Sequence, residues 1–156
     1  MATSDKMIGS SAAWAAGYTG AGSRIAIIDT GADVDHPSLD PDALKYALQG
    51  SNATIMTEAD LTDEVLNQLN AYTRKAGLTA ADFYVNEKIP FGFNYVDADT
   101  DITHDNDTQG DHGSHVTGIA AGNRFVKDEA GNYVAALDSV MTQGVAPDAQ
   151  ILTMKV

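Results

Sequence analysis

Residues 24–29 read Arg-Ile-Ala-Ile-Ile-Asp, an apolar run that ends on a carboxylate and is followed at once by Thr30 and Gly31. Isoleucines at 25, 27 and 28 favour an extended strand, and a run without polar alternation suits a strand buried on both faces of a parallel sheet. A second apolar strand is expected within Gly-Val-Ala-Pro-Asp-Ala-Gln-Ile-Leu-Thr-Met-Lys-Val, residues 144–156. Between the two, His112 to Gly122 reads as a helix of small residues able to lie close against a sheet. Strand, helix and strand in that order predict an α/β fold built on a crossover unit. The 156 residues suit one domain, 1–156, with a core of useful size.

Other segments decorate this frame. Ser10 or Ser11 is expected to cap a short alanine-rich helix that breaks at Gly17 and Gly20. Residues 38–91 form an excursion. Within it Leu61, Val65, Leu66, Leu69 and Tyr72 recur at helical spacing, with Thr57 as the expected cap and Gly77 as the stop, which predicts an amphipathic surface helix. Ile89 to Val96 reads as a short strand carrying aromatic residues. An acidic loop with Asp97, Asp99, Asp101, Asp105, Asp107 and Asp111 leads to His112, and residues 123–143 form a polar insertion with a turn at Ala130 and Gly131.

Composition removes several function classes. With 22 acidic against 9 basic residues, the net charge of −13 repels phosphate and argues against a nucleic-acid partner. The absence of cysteine excludes disulfides, zinc thiolates and thiol catalysis. No apolar run approaches the ~20 residues of a membrane span. The stretch Met1 to Trp14 lacks the charged-then-apolar layout of a secretory signal, so an exported protein is expected to carry its signal elsewhere.

Asp29 reads in two ways. An Asp-Thr-Gly loop after an apolar strand serves retroviral-type aspartic proteases, in which two loops meet across a dimer and share a proton. It also suits a carboxylate that orients a histidine. Gly110-Asp111-His112-Gly113-Ser114-His115-Val116 decides between them, because a general base needs a fixed ring beside a carboxylate and small neighbours that let substrate approach. The aspartic alternative rests on one short loop and requires an all-β subunit.

Three blocks in order, Arg24 to Pro37, His112 to Gly122 and Gly144 to Val156, resemble the N-terminal part of a subtilisin-like serine protease (subtilase) domain. The excursion and the acidic loop are similar to those of lactocepin-type cell-envelope proteinases. The resemblance implies a three-layer α/β sandwich with a parallel sheet, of which the N-terminal half is present. It implies a serine endopeptidase in which Asp29 orients His112, the general base, while the nucleophilic serine and the oxyanion asparagine come from sequence beyond the last strand. No cofactor is required for that chemistry.

Its substrates are expected to be proteins or peptides, its partner the remainder of the catalytic domain, and its location extracellular or at the cell surface. Gly9-Ser10-Ser11-Ala12 imitates a nucleophile segment but precedes Asp29, so it is read as a helix cap. Ser114 matches a small position of the His motif. His115 is read as packing or capping, His36 as a turn residue and His104 as solvated loop. Asp99 and Asp101 are candidate ligands of a structural calcium, although the glycine and terminal glutamate of a helix-loop-helix calcium site are missing. The rival readings are an inactive protease fragment acting as a binding module and a calcium-dependent structural module.

Overall fold

The computed structural model describes residues 2–104, 108 and 110–156. Asp105 and Asp107 of the acidic loop lie outside the described residues. In chain order the elements are α1 (Ala2–Ile8), α2 (Ser10–Ala15), β1 (Arg24–Asp29), α3 (Pro41–Ala47), α4 (Asp63–Tyr72), α5 (Ala80–Phe83) and β2 (Phe91–Asn94). They continue with α6 (His112–Ala121), β3 (Phe125–Lys127), β4 (Tyr133–Ala135), α7 (Ala136–Ser139) and β5 (Gln150–Lys155).

The main sheet is parallel in the order β1-β5-β2, with β5 in the centre. Successive side chains of a strand point to opposite faces, and the two cores divide accordingly. Ile25 and Ile27 of β1 and Ile151 of β5 pack with Val116, Ala120 and Ala121 of α6 and with Leu39 and Ile102. Phe91 and Phe93 of β2 and Leu152 and Met154 of β5 pack on the other face with Leu61, Leu66, Leu69 and Phe83 of the excursion. The chain therefore builds three layers: α6, the parallel sheet and the excursion helices.

Several expectations need correction. β1 is not buried on both faces: Ile28 is 64% exposed, because the excursion covers β2 and β5 but leaves the outer face of β1 open. Neither Ser10 nor Ser11 caps α2. Gly9 occupies the cap in a left-handed conformation (φ 83°) that joins it to α1, and Ser10 is the buried first residue of the helix. Thr57 forms a capping box with Asp60 on a 3-10 turn, Glu58–Asp60, while α4 starts later with Thr62 accepting from the Val65 N–H. Leu61, Leu66 and Leu69 do face the core, but Tyr72 is exposed.

The segment 123–143 becomes the antiparallel β3–β4 hairpin followed by α7. Its aromatic rings dock on α3: Tyr46 stacks on Tyr133 at 4.6 Å and meets Phe125 edge-on at 5.0 Å. Lys127 pairs with Asp40 at 3.1 Å, and the Arg124 guanidinium donates to the Ala47 carbonyl and to the nearly fully buried Asp148. Rings and charges together fasten the insertion to the segment that follows Asp29.

Candidate active site

Asp29 is the last residue of β1, at the carboxyl end of a parallel strand, where α/β sheets place their sites. His112 is the first residue of α6. Their side chains meet with His112 Nδ1 2.8 Å from Asp29 Oδ1, and the Thr30 N–H donates to the same oxygen at 2.8 Å. A carboxylate accepts, so Nδ1 carries the proton and Nε2 is left to exchange one with a reacting group. The imidazole is 71% exposed and the carboxylate 18%, so the base is open to a substrate while its orienter is sheltered.

Three further contacts lock loop and helix together. Thr30 Oγ1 accepts from the Gly113 N–H at 2.9 Å and donates to the Gly110 carbonyl at 3.2 Å, holding the chain on both sides of His112. Ser114 Oγ accepts from the Asp33 N–H at 2.8 Å. The approach is close enough to exclude side chains: a methyl at Gly113 would fall 2.2 Å from the Gly31 carbonyl oxygen. Gly31, at φ +107°, would place a methyl 2.3 Å from the Ile102 carbonyl oxygen. The two glycines are therefore a condition of the Asp29–His112 distance.

The electrostatics follow from the contact. The hydrogen bond from His112, then that from the Thr30 N–H, holds the Asp29 carboxyl below its ordinary range. The hydrogen bond to Asp29 and then the charge of Asp29 raise His112 above the usual histidine value, with a smaller push from Asp111. The pair favours imidazolium beside carboxylate, the state a general base enters after taking a proton.

The other candidates lie elsewhere. Ser114 is committed to Asp33, and Ser10 opens α2. His36 accepts from the Ser38 N–H at 3.1 Å through Nδ1, a turn role as expected. His115 is exposed and sits 3.7 Å from Asp111, the residue at the N-cap position of α6. His104 is partly buried where a solvated residue was expected, and with His36 and His115 it lines a cavity of about 800 Å³ beside α6.

In the acidic loop, Asp99 accepts from the Asp101 N–H, and Asp101 from the Thr103 N–H and hydroxyl. Among the described residues no three Asp, Glu or His side chains gather as a metal cage. Thr30 and Lys155 are the site residues that sequence reasoning passed over. The signal for Thr30 was its place beside Asp29, and for Lys155 a lone cation within an apolar strand.

The model of the subtilase family matches residues 20–156, and the chain belongs to that family. It is 35% identical over 143 residues to the PII-type proteinase of Lactococcus lactis subsp. cremoris, covering 89% of this chain and 6% of that protein. The PIII-type proteinase of Lactococcus lactis subsp. cremoris (strain SK11) gives the same identity and coverage. The Minor extracellular protease Vpr of Bacillus subtilis (strain 168) is 29% identical over 154 residues, covering 96% of this chain and 12% of that protein. The chain thus spans a small fraction of the length of these relatives.

Proposed function

We propose that Asp29 and His112 are the orienter and general base of a serine endopeptidase acting on proteins or peptides. The 2.8 Å contact between them at the carboxyl end of β1 carries this reading, supported by membership of the subtilase family. In the reaction, a serine supplied by further sequence attacks the peptide carbonyl and passes its proton to His112 Nε2. His112 then gives that proton to the leaving amine. Asp29 holds the Nδ1–H tautomer and stabilises the imidazolium throughout.

The similarity to an extracellular protease supports action outside the cell. A calcium ion at Asp99 and Asp101 would have a structural role only. Two carboxylates, each with one oxygen already bonded locally, fall short of the six to eight oxygen ligands that calcium takes, so further carbonyls or carboxylates would have to complete the shell.

The reading is tested by incubating this chain with casein and with a fluorophosphonate probe. Without nucleophile and oxyanion donors, base and orienter do not turn substrate over, because these groups act as a unit. The expected result is no hydrolysis and no labelled serine. Covalent labelling of a serine in this chain, with turnover, would place the nucleophile here and overturn the assignment.

A further inference from the structure

Lys155 ends β5 and is the register partner of Asp29 across the β1–β5 ladder. It is only 3% exposed, and its Nζ donates to the Thr103 carbonyl at 2.5 Å. An ammonium ion away from water is costly unless oxygen acceptors surround it, so a buried lysine ties down the groups that receive its N–H bonds. The group it ties down here is the backbone of the segment leading to His112.

The neighbouring carbonyl is held as well. Ile102 O accepts from the Ala32 N–H at 2.9 Å, and the Ile102 side chain is buried in the core beside α6. The Lys155 stem runs beneath the turn after Asp29, with its Cδ 3.4 Å from where a methyl on Gly31 would stand. Two consecutive carbonyls thus bind the near end of the segment, one to the turn after Asp29 and one to β5. At its far end Thr30 holds Gly110 and Gly113.

We propose that Lys155 is a positioning residue for the Asp29–His112 pair, acting by fixing the Thr103 carbonyl and hence the start of the segment that carries His112 to Asp29. Its action is geometric. Its Nζ holds the Thr103 carbonyl, at the start of the loop that leads to His112. A fastening that served stability alone would leave the ring of His112 where it is once the fold had re-formed without it.

That difference sets the test, an NMR titration of the His112 imidazole in the whole chain. The unaltered chain is expected to titrate above the ordinary histidine value of 6.5, because the hydrogen bond to Asp29 favours the imidazolium. Lys155→Met, checked for a cooperative melt and unchanged far-ultraviolet dichroism, is expected to bring the midpoint down toward 6.5. Lys155→Arg, which keeps a cationic donor, is expected to retain the raised midpoint. A folded Lys155→Met chain in which His112 titrates as in the unaltered chain would overturn the proposal.

Should Lys155→Met fail to fold, Lys155→Gln, too short to reach Thr103 but still polar, carries the same two outcomes. The proposal rests on the roles given above to Asp29 and His112, but the titration reads their contact and not turnover. An inactive parent protein with the stated titration would therefore sink the protease reading and leave this one standing.

Discussion

Lys88 is fully buried, and its Nζ donates to the carbonyls of Pro147 at 2.9 Å and Ala149 at 2.8 Å. A neutral amine has two N–H donors, and both are used. Burial pushes its pKa down to about 7 against a weaker opposing pull from Asp148. Between that value and the ordinary 10.5, the unfolded chain binds a proton that the folded chain does not. Stability therefore rises with pH across this window, at about 1.4 kcal/mol per unit while the difference is a full proton. Urea unfolding at pH 7 and pH 9 checks this: the unaltered chain is expected to gain about 2.3 kcal/mol more than Lys88→Met over those two units, the folded amine being half protonated at pH 7. Equal gains would mean that the buried amine stays protonated. The same residue-scale physics explains why Lys155 was hard to read in sequence. A lysine in Ile-Leu-Thr-Met-Lys-Val could end at the surface or in the core, and only the β1–β5 register puts it behind Asp29.

Among the elements, the acidic loop from Asp97 to Asp111 yields a prediction. Six aspartates in one loop repel one another, and Asp99 and Asp101 each accept a backbone N–H from a local turn. If Asp99 and Asp101 hold calcium, the ion at ~100 times its dissociation constant adds about 2.7 kcal/mol. The melting temperature then rises over that in chelator, and the double change Asp99→Asn with Asp101→Asn removes the rise. An unchanged melting temperature, or a rise that survives both changes, rules these two residues out. The elements that sequence exposed best were those with a continuous apolar run or a run of small residues. β1, β5 and α6 followed from apolar runs and small residues, and Asp29 and His112 from their motifs. Helix starts were harder, because Thr57 and Thr62 both offer a hydroxyl before an acidic turn and only packing chooses where the α-helix begins. The open outer face of β1 was invisible for a similar reason. Ile28 promises burial, but which face the excursion covers is decided by contacts remote in sequence.

At the scale of the whole molecule, a parallel sheet with β5 at its centre brings three separated stretches to one end: the turn after Asp29, the start of α6 and the end of β5. The glycines at 31 and 113 let those stretches approach, Thr30 joins them, and the resulting contact with Asp29 raises His112 above the usual histidine value. Similarity extends over 89% of this chain but 6% of the PII-type proteinase, so the roles proposed for the pair are to be measured in the complete parent protein. The amide of Asn has nearly the shape of the carboxylate but favours the wrong imidazole tautomer and cannot stabilise the imidazolium. Steady-state hydrolysis of a peptide substrate by the complete protein carrying Asp29→Asn at neutral pH is the direct measurement. The account predicts a kcat lower by about 10⁴ with KM little changed and the fold intact. A kcat near that of the unaltered protein would contradict it.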